Sequence, residues 1–113
     1  MKEKVLKYLY DIKLSIGEID SFFENQPRNY DNYSQNSLLK RAIERNLEII
    51  GEAMNRILKE DPGFNIVNSK KIIGLRNQII HGYDSISDES IWGIVNVHIP
   101  KLKTEIDLLI DGA

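Results

Sequence analysis

The chain predicts an all-α fold, an up-and-down bundle of four main helices forming one domain over residues 1–113. Three observations carry this. Apolar residues recur at intervals of three and four through long segments, the spacing that lines one face of a helix. No stretch alternates apolar and polar residues as a strand hairpin would. The periodic segments are separated by short stretches rich in Pro, Gly and Asn, which favour turns.

The first helix is predicted over Val5 to Phe23, where Val5, Leu9, Ile12, Ile16, Ile19 and Phe23 form one stripe. The segment Glu24 to Ser34 contains Pro27 and several Asn, lacks a period, and reads as a loop. Its Tyr30 and Tyr33 suit covering the ends of helices, with base stacking as the alternative use. The second helix is predicted from Ser37 to Lys59, with Leu39, Ala42, Ile43, Leu47, Ile50, Ala53, Met54 and Ile57 on its apolar face. Gly51 inside it costs about 1 kcal/mol relative to alanine, so it marks a close approach by another helix. Asp61-Pro62-Gly63 ends the element.

The third helix is predicted over Asn68 to His81, capped by Asn68 or Ser69 and stopped by Gly82, the residue type that best accepts a left-handed C-terminal position. Ser87, followed by Asp88 and Glu89, is an N-cap with acids in the first turn. Ile91, Val95, Ile99, Leu102, Ile106 and Leu109 then continue a helical stripe toward the C-terminus. Pro100 should kink that last helix.

Composition excludes several classes of function. The net charge of -2 argues against a broad basic face for coating nucleic acid, because such affinity comes from many neutralised phosphates. Any RNA contact must be local, and the basic residues cluster in two places, Lys40-Arg41-Arg45 and Lys70-Lys71-Arg76. With no cysteine there is neither a disulfide framework nor a thiolate metal site. The apolar runs are too short to cross a bilayer, and the start reads as an amphipathic helix rather than a signal peptide. The expectation is a cytoplasmic protein that engages no membrane.

The chemistry concentrates in Arg76-Asn77-Gln78-Ile79-Ile80-His81-Gly82-Tyr83, which has the pattern R-x-x-x-x-H-x-Y. Arginine supplies a permanent forked cation that matches phosphate oxygens. Histidine, with an unperturbed pKa of about 6.5, gives and takes protons near neutrality. Asn77 lies one turn before His81 and is a supporting candidate to orient the imidazole. Arg76 and His81 are separated by about 140° around a straight helix, so a shared substrate or a second subunit is needed to bring them to one phosphate. A purely structural reading competes, in which His81 and Tyr83 cap and pack while Arg76 pairs with Glu44, Glu48 or Glu52. Trp92 reads as packing, and His98 has no assigned role.

With Arg76 to Tyr83, the segment Arg41-Ala42-Ile43-Glu44-Arg45-Asn46-Leu47-Glu48-Ile49-Ile50-Gly51-Glu52-Ala53 and the later Ile91-Trp92 and Ile99-Pro100-Lys101-Leu102, the chain resembles the HepT-like branch of the HEPN domains. The resemblance covers nearly the whole chain. It implies a metal-independent ribonuclease toxin of a type VII toxin-antitoxin system, acting on RNA rather than DNA and needing no cofactor. It further implies that Arg76 and His81 are catalytic in a cleft where two protomers of a homodimer meet. Tyr83 would be the hydroxyl to which a cognate minimal nucleotidyltransferase antitoxin attaches AMP. A non-catalytic nucleotide-binding or protein-interaction module is the alternative.

Overall fold

Helix α1 (Glu3–Ser21) and the long helix α3 (Ser37–Glu60) form the centre of the molecule, seen in a computed structural model that describes residues 1–81 and 86–113. Their predicted stripes are what they bury. Val5, Leu9, Ile12, Ile16 and Ile19 of α1 face Ile43, Leu47, Ile50, Met54 and Ile57 of α3, all at most 2% exposed. Each such side chain contributes roughly 1.5–3 kcal/mol through burial. Among the described residues, Asn46 is the buried amide side chain, and it is satisfied across this interface. Its Nδ2 donates to the Ser15 carbonyl at 3.0 Å and to Glu18 Oε2 at 3.2 Å.

The segment predicted as a loop contains a short helix, α2 (Tyr30–Gln35). Asn29 caps it by accepting from the Asn32 amide at 2.8 Å. Six residues are too few to display a period, so the same asparagines that suggest a loop here serve as a cap. Tyr33 is fully buried in the core and stacks on Trp92 with ring centroids 5.1 Å apart. Packing, not base stacking, is its use. Asn36 then caps α3 through the Leu39 amide at 3.0 Å.

Helix α4 (Ser69–Ile80) follows the turn at Asp61 and ends one residue earlier than predicted, with His81 as its C-cap. Asn68 occupies the N-cap position but with left-handed backbone (φ 63°) and no side-chain capping bond. Gly82, the predicted stop, lies outside the described residues.

The C-terminal segment begins as predicted, with Ser87 accepting from the Ser90 amide at 3.1 Å to cap α5 (Asp88–Gly93). The expected break near Pro100 takes the form of a π-helical turn, Ile94–His98, ahead of α6 (Ile99–Asp111). Proline has no amide hydrogen, and its ring would strike the carbonyl one turn back. Widening the preceding turn, in which the Ile99 amide reaches the Ile94 carbonyl, relieves that conflict. Ile91, Val95, Ile99, Leu102 and Ile106 complete the core from this side. Among the described residues there is no strand, and no helix is long and apolar enough to cross a membrane.

Candidate active site on the fourth helix

Arg76 leaves α4 on the side facing α3 and passes directly over Gly51. A Cβ built on Gly51 would overlap the Cβ of Arg76 and come within 2.9 Å of its Cγ and 3.2 Å of the Ile72 carbonyl oxygen. Glycine is therefore required here for close helix approach, as the interior placement of Gly51 predicted.

The next residue on α3 receives the guanidinium. Arg76 Nη2 lies 2.6 Å from Glu52 Oε2, and Arg76 Nη1 donates to Asn77 Oδ1 at 2.8 Å. Arg76 Nε is buried and meets no acceptor. The second oxygen of Glu52 is held as well, since Arg56 Nε donates to Oε1 at 3.2 Å. The result is a chain, Arg56 to Glu52 to Arg76, at the floor of a cleft of about 410 Å³ between α1, α3 and α4. Tyr8, Arg45, Glu48, Glu52, Arg56 and Arg76 line it. Arg45 is itself paired with Glu48 at 3.2 Å.

His81 is not among the residues lining this cleft. It is exposed at the end of α4, its amide donating to the Asn77 carbonyl at 3.1 Å. Arg76 turns inward to α3, while His81 is the exposed C-cap that follows α4. The side chain of Asn77, expected to orient the imidazole, has its carbonyl oxygen on Arg76, so the guanidinium is what that oxygen steadies. Tyr83, the expected modification site, lies outside the described residues. No group of three or more His, Cys, Asp or Glu able to hold a metal occurs among the described residues.

Of the acids weighed as partners for Arg76, Glu52 is the one it meets. Glu44 lies elsewhere, beside Lys40 and Asp88. Burial raises its carboxyl above the ordinary range, with Asp88 and Glu48 adding to the effect and Lys40 and Arg41 opposing it. Tyr8, Arg45 and Arg56 were not singled out as site residues by sequence reasoning. The only available signal was the spacing of Arg45, Glu48, Glu52 and Arg56, which places them on one face of α3.

On its other side α4 borders a larger, mostly apolar groove of about 1020 Å³. Ile72 and Leu75 of α4 face Ile94, Leu102 and Leu108 across it. No residue of α4 is fully buried, so this helix packs on α3 and leaves much of its surface open.

Comparison with known proteins places this architecture. The chain matches the family described as Ribonuclease HepT-like over residues 12–109. It is similar to the Methanocaldococcus jannaschii protein named "Putative RNase MJ1380", with 36% identity over 110 residues covering 96% of this chain and 98% of the relative. A second protein of that organism, "Putative RNase MJ1216", is 30% identical over 96% of this chain and 89% of its own length. "Putative RNase TTE0752" of Caldanaerobacter subterraneus subsp. tengcongensis is 33% identical over 68% of this chain and 70% of the relative. No solved structure matches. The family match over residues 12–109 and the near full-length likeness to these relatives agree, and the chain belongs to the HepT-like ribonuclease family.

Proposed function

We propose that the protein is a metal-independent endoribonuclease whose active site is completed across a homodimer, with Arg76 and His81 of both protomers converging on one scissile phosphate. The observation that carries this reading is the placement of the two residues. Arg76 of α4 lines a polar cleft, and His81, the exposed C-cap of that helix, is not among the residues lining it. A two-fold partner packing against the exposed C-terminal end of α4 would bring the arginines and histidines of both protomers to one cleft. The unfilled apolar groove beside α4, with Val67 and Leu108 exposed on its walls, supports an assembled rather than a monomeric state.

The chemistry is an internal transesterification. The ribose 2′-oxygen bonds to phosphorus as its proton passes to one histidine, and the bond from phosphorus to the 5′-oxygen breaks as the other histidine protonates the leaving group. The products are a 2′,3′-cyclic phosphate and a 5′-hydroxyl. Arg76 stabilises the charge that accumulates on the non-bridging oxygens. The ion pair with Glu52 is what a packing-only reading of Arg76 expects. It is an ion pair in which Glu52 Oε2 takes up no hydrogen bond, so guanidinium donors beyond the one given to Asn77 remain for a phosphate.

The same family reading makes the protein the toxin of a type VII toxin-antitoxin pair, silenced when a cognate minimal nucleotidyltransferase attaches AMP to Tyr83. A phosphate ester two residues after His81 in sequence would add negative charge, which disfavours RNA. Tyr83→Phe should keep RNase activity and escape silencing, and mass spectrometry of the treated protein should place AMP on Tyr83.

The test of the reading is RNA cleavage by His81→Ala and Arg76→Ala in the presence of EDTA. Wild type should cleave under chelation, and both variants should be inactive while remaining helical. Cleavage abolished by EDTA and restored by magnesium would overturn the metal-free mechanism, and full activity in either variant would overturn the assignment of residues.

A further inference from the structure

Resting on the ribonuclease reading, we propose that Glu52 is a positioning residue, which aims the Arg76 guanidinium at the scissile phosphate by holding its Nη2 from behind. A free arginine side chain samples many rotamers. Charge stabilisation in a transition state depends on donors already fixed in place. Two tethers fix this one: Glu52 Oε2 at 2.6 Å from Nη2, and Asn77 Oδ1 at 2.8 Å from Nη1. The contact with Glu52 is one of charge, with no hydrogen bond taken by Oε2, and Nη1 carries a second N–H beside the one given to Asn77, so both tethers can be kept while donors are offered to a phosphate.

Glu52 is built to serve as a fixed support. Its other oxygen is held by Arg56 Nε at 3.2 Å, and its backbone neighbour is Gly51, the position where α4 comes close enough for Arg76 to overlap any Cβ on α3. Close approach and carboxylate are therefore adjacent in sequence. The pair adds little as a stability device. The side chains of Arg76 and Glu52 are 27% and 33% exposed with the paired Glu52 oxygen itself buried, and the desolvation of such a pair offsets much of its attraction.

A support of this kind has an unusual kinetic signature, because Glu52 is an anion beside a site that binds an anion. Removing it lowers the repulsion felt by incoming RNA but releases the arginine. Binding and turnover should then move in opposite directions, which a merely structural ion pair would not produce.

The test is steady-state cleavage of an RNA oligonucleotide by Glu52→Ala and Glu52→Gln, with melting curves for both. Glu52→Ala should lower kcat about 10- to 100-fold, the scale of loss expected from misplacing a catalytic group, with KM unchanged or reduced. Glu52→Gln, which keeps an acceptor oxygen of nearly the same reach without the charge, should recover much of kcat and still not raise KM. A Glu52→Ala variant with wild-type kcat, a loss confined to KM, or a loss explained by unfolding at the assay temperature would overturn the proposal. A second measurement is independent of turnover. The ¹⁵N relaxation of the Arg76 Nε–H group should report an ordered side chain in wild type and a mobile one in Glu52→Ala, and equal mobility would refute the role for Glu52. An inactive wild type, or an active Arg76→Ala, would instead count against the ribonuclease reading, and the relaxation result would still decide the role of Glu52.

Discussion

Helices α1 and α4 both carry apolar residues at helical spacing, but they are held in place in different ways. Helix α1 buries Val5, Leu9, Ile12, Ile16 and Ile19 completely or nearly so. Helix α4, with Ile72, Ile73, Leu75, Ile79 and Ile80 in twelve residues, buries none of them fully. It is located by the half-buried Ile72, Ile73, Leu75 and Ile79 packed against the core and by the close approach at Gly51. The lesson is a division of labour: the α1–α3 pair supplies most of the buried core, and α4, on which the proposed chemistry rests, keeps much of its surface open.

The sharpest way to break this contrast is to truncate a core residue on each side of it. Ile50→Ala, in the fully buried face of α3, should cost about 2–5 kcal/mol in denaturant unfolding. Ile80→Ala on α4, where the side chain is 45% exposed, should cost no more than about 0.5 kcal/mol for the isolated chain. Similar losses at the two positions would mean that α4 belongs to the core after all.

Next in size is Gly51→Ala. The added methyl collides with Arg76 Cβ and with a backbone carbonyl, which cannot swing aside as a flexible side-chain end would. Stability should fall by about 1–3 kcal/mol, and RNA cleavage should fall further than stability explains, since α4 is pushed off its seat. A tolerated alanine, with unchanged melting and activity, would show that the seat is loose.

Arg76→Ala should cost on the order of 1 kcal/mol, more than a fully exposed substitution, because its side chain covers Gly51 and its charge balances Glu52. Urea unfolding measures it. Arg56 remains to pair with Glu52, which limits the loss.

The smallest expected effect concerns Glu44, whose carboxyl is held above its ordinary value of 4.5 chiefly by burial. A raised folded-state pKa means that stability from the protonated form is present below the unfolded pKa and is lost as pH rises through the folded one. Glu44→Gln should therefore match wild type in acid and melt slightly higher at neutral pH. A variant less stable than wild type at neutrality would contradict the cause assigned to the shift.

The sequence made the helices legible where the period ran for several turns, as in α1, α3 and the stripe from Ile91 to Leu109. It concealed α2, because six residues cannot show a period and Asn29 signals a cap and a loop equally well. Pro100 announced an interruption but not its form, since a kink and a π-helical turn relieve the same clash. At the site, Gly51 signalled a close approach without saying by what. That Arg76 is the residue above it, and that Glu52 rather than Glu44 or Glu48 receives the guanidinium, depends on the register of α4 along α3. That register is set by packing between segments distant in sequence and leaves no local trace.

The central claim is that histidines of two protomers act on one phosphate, and subunit mixing tests it most directly. Inactive His81→Ala protein is exchanged in increasing proportion into wild type at constant total concentration, and RNA cleavage is measured at each ratio. A composite site needing both histidines is intact only in wild-type dimers, so the rate should fall with the square of the wild-type fraction. A rate falling in simple proportion to that fraction would show that each chain works alone, and would contradict the account.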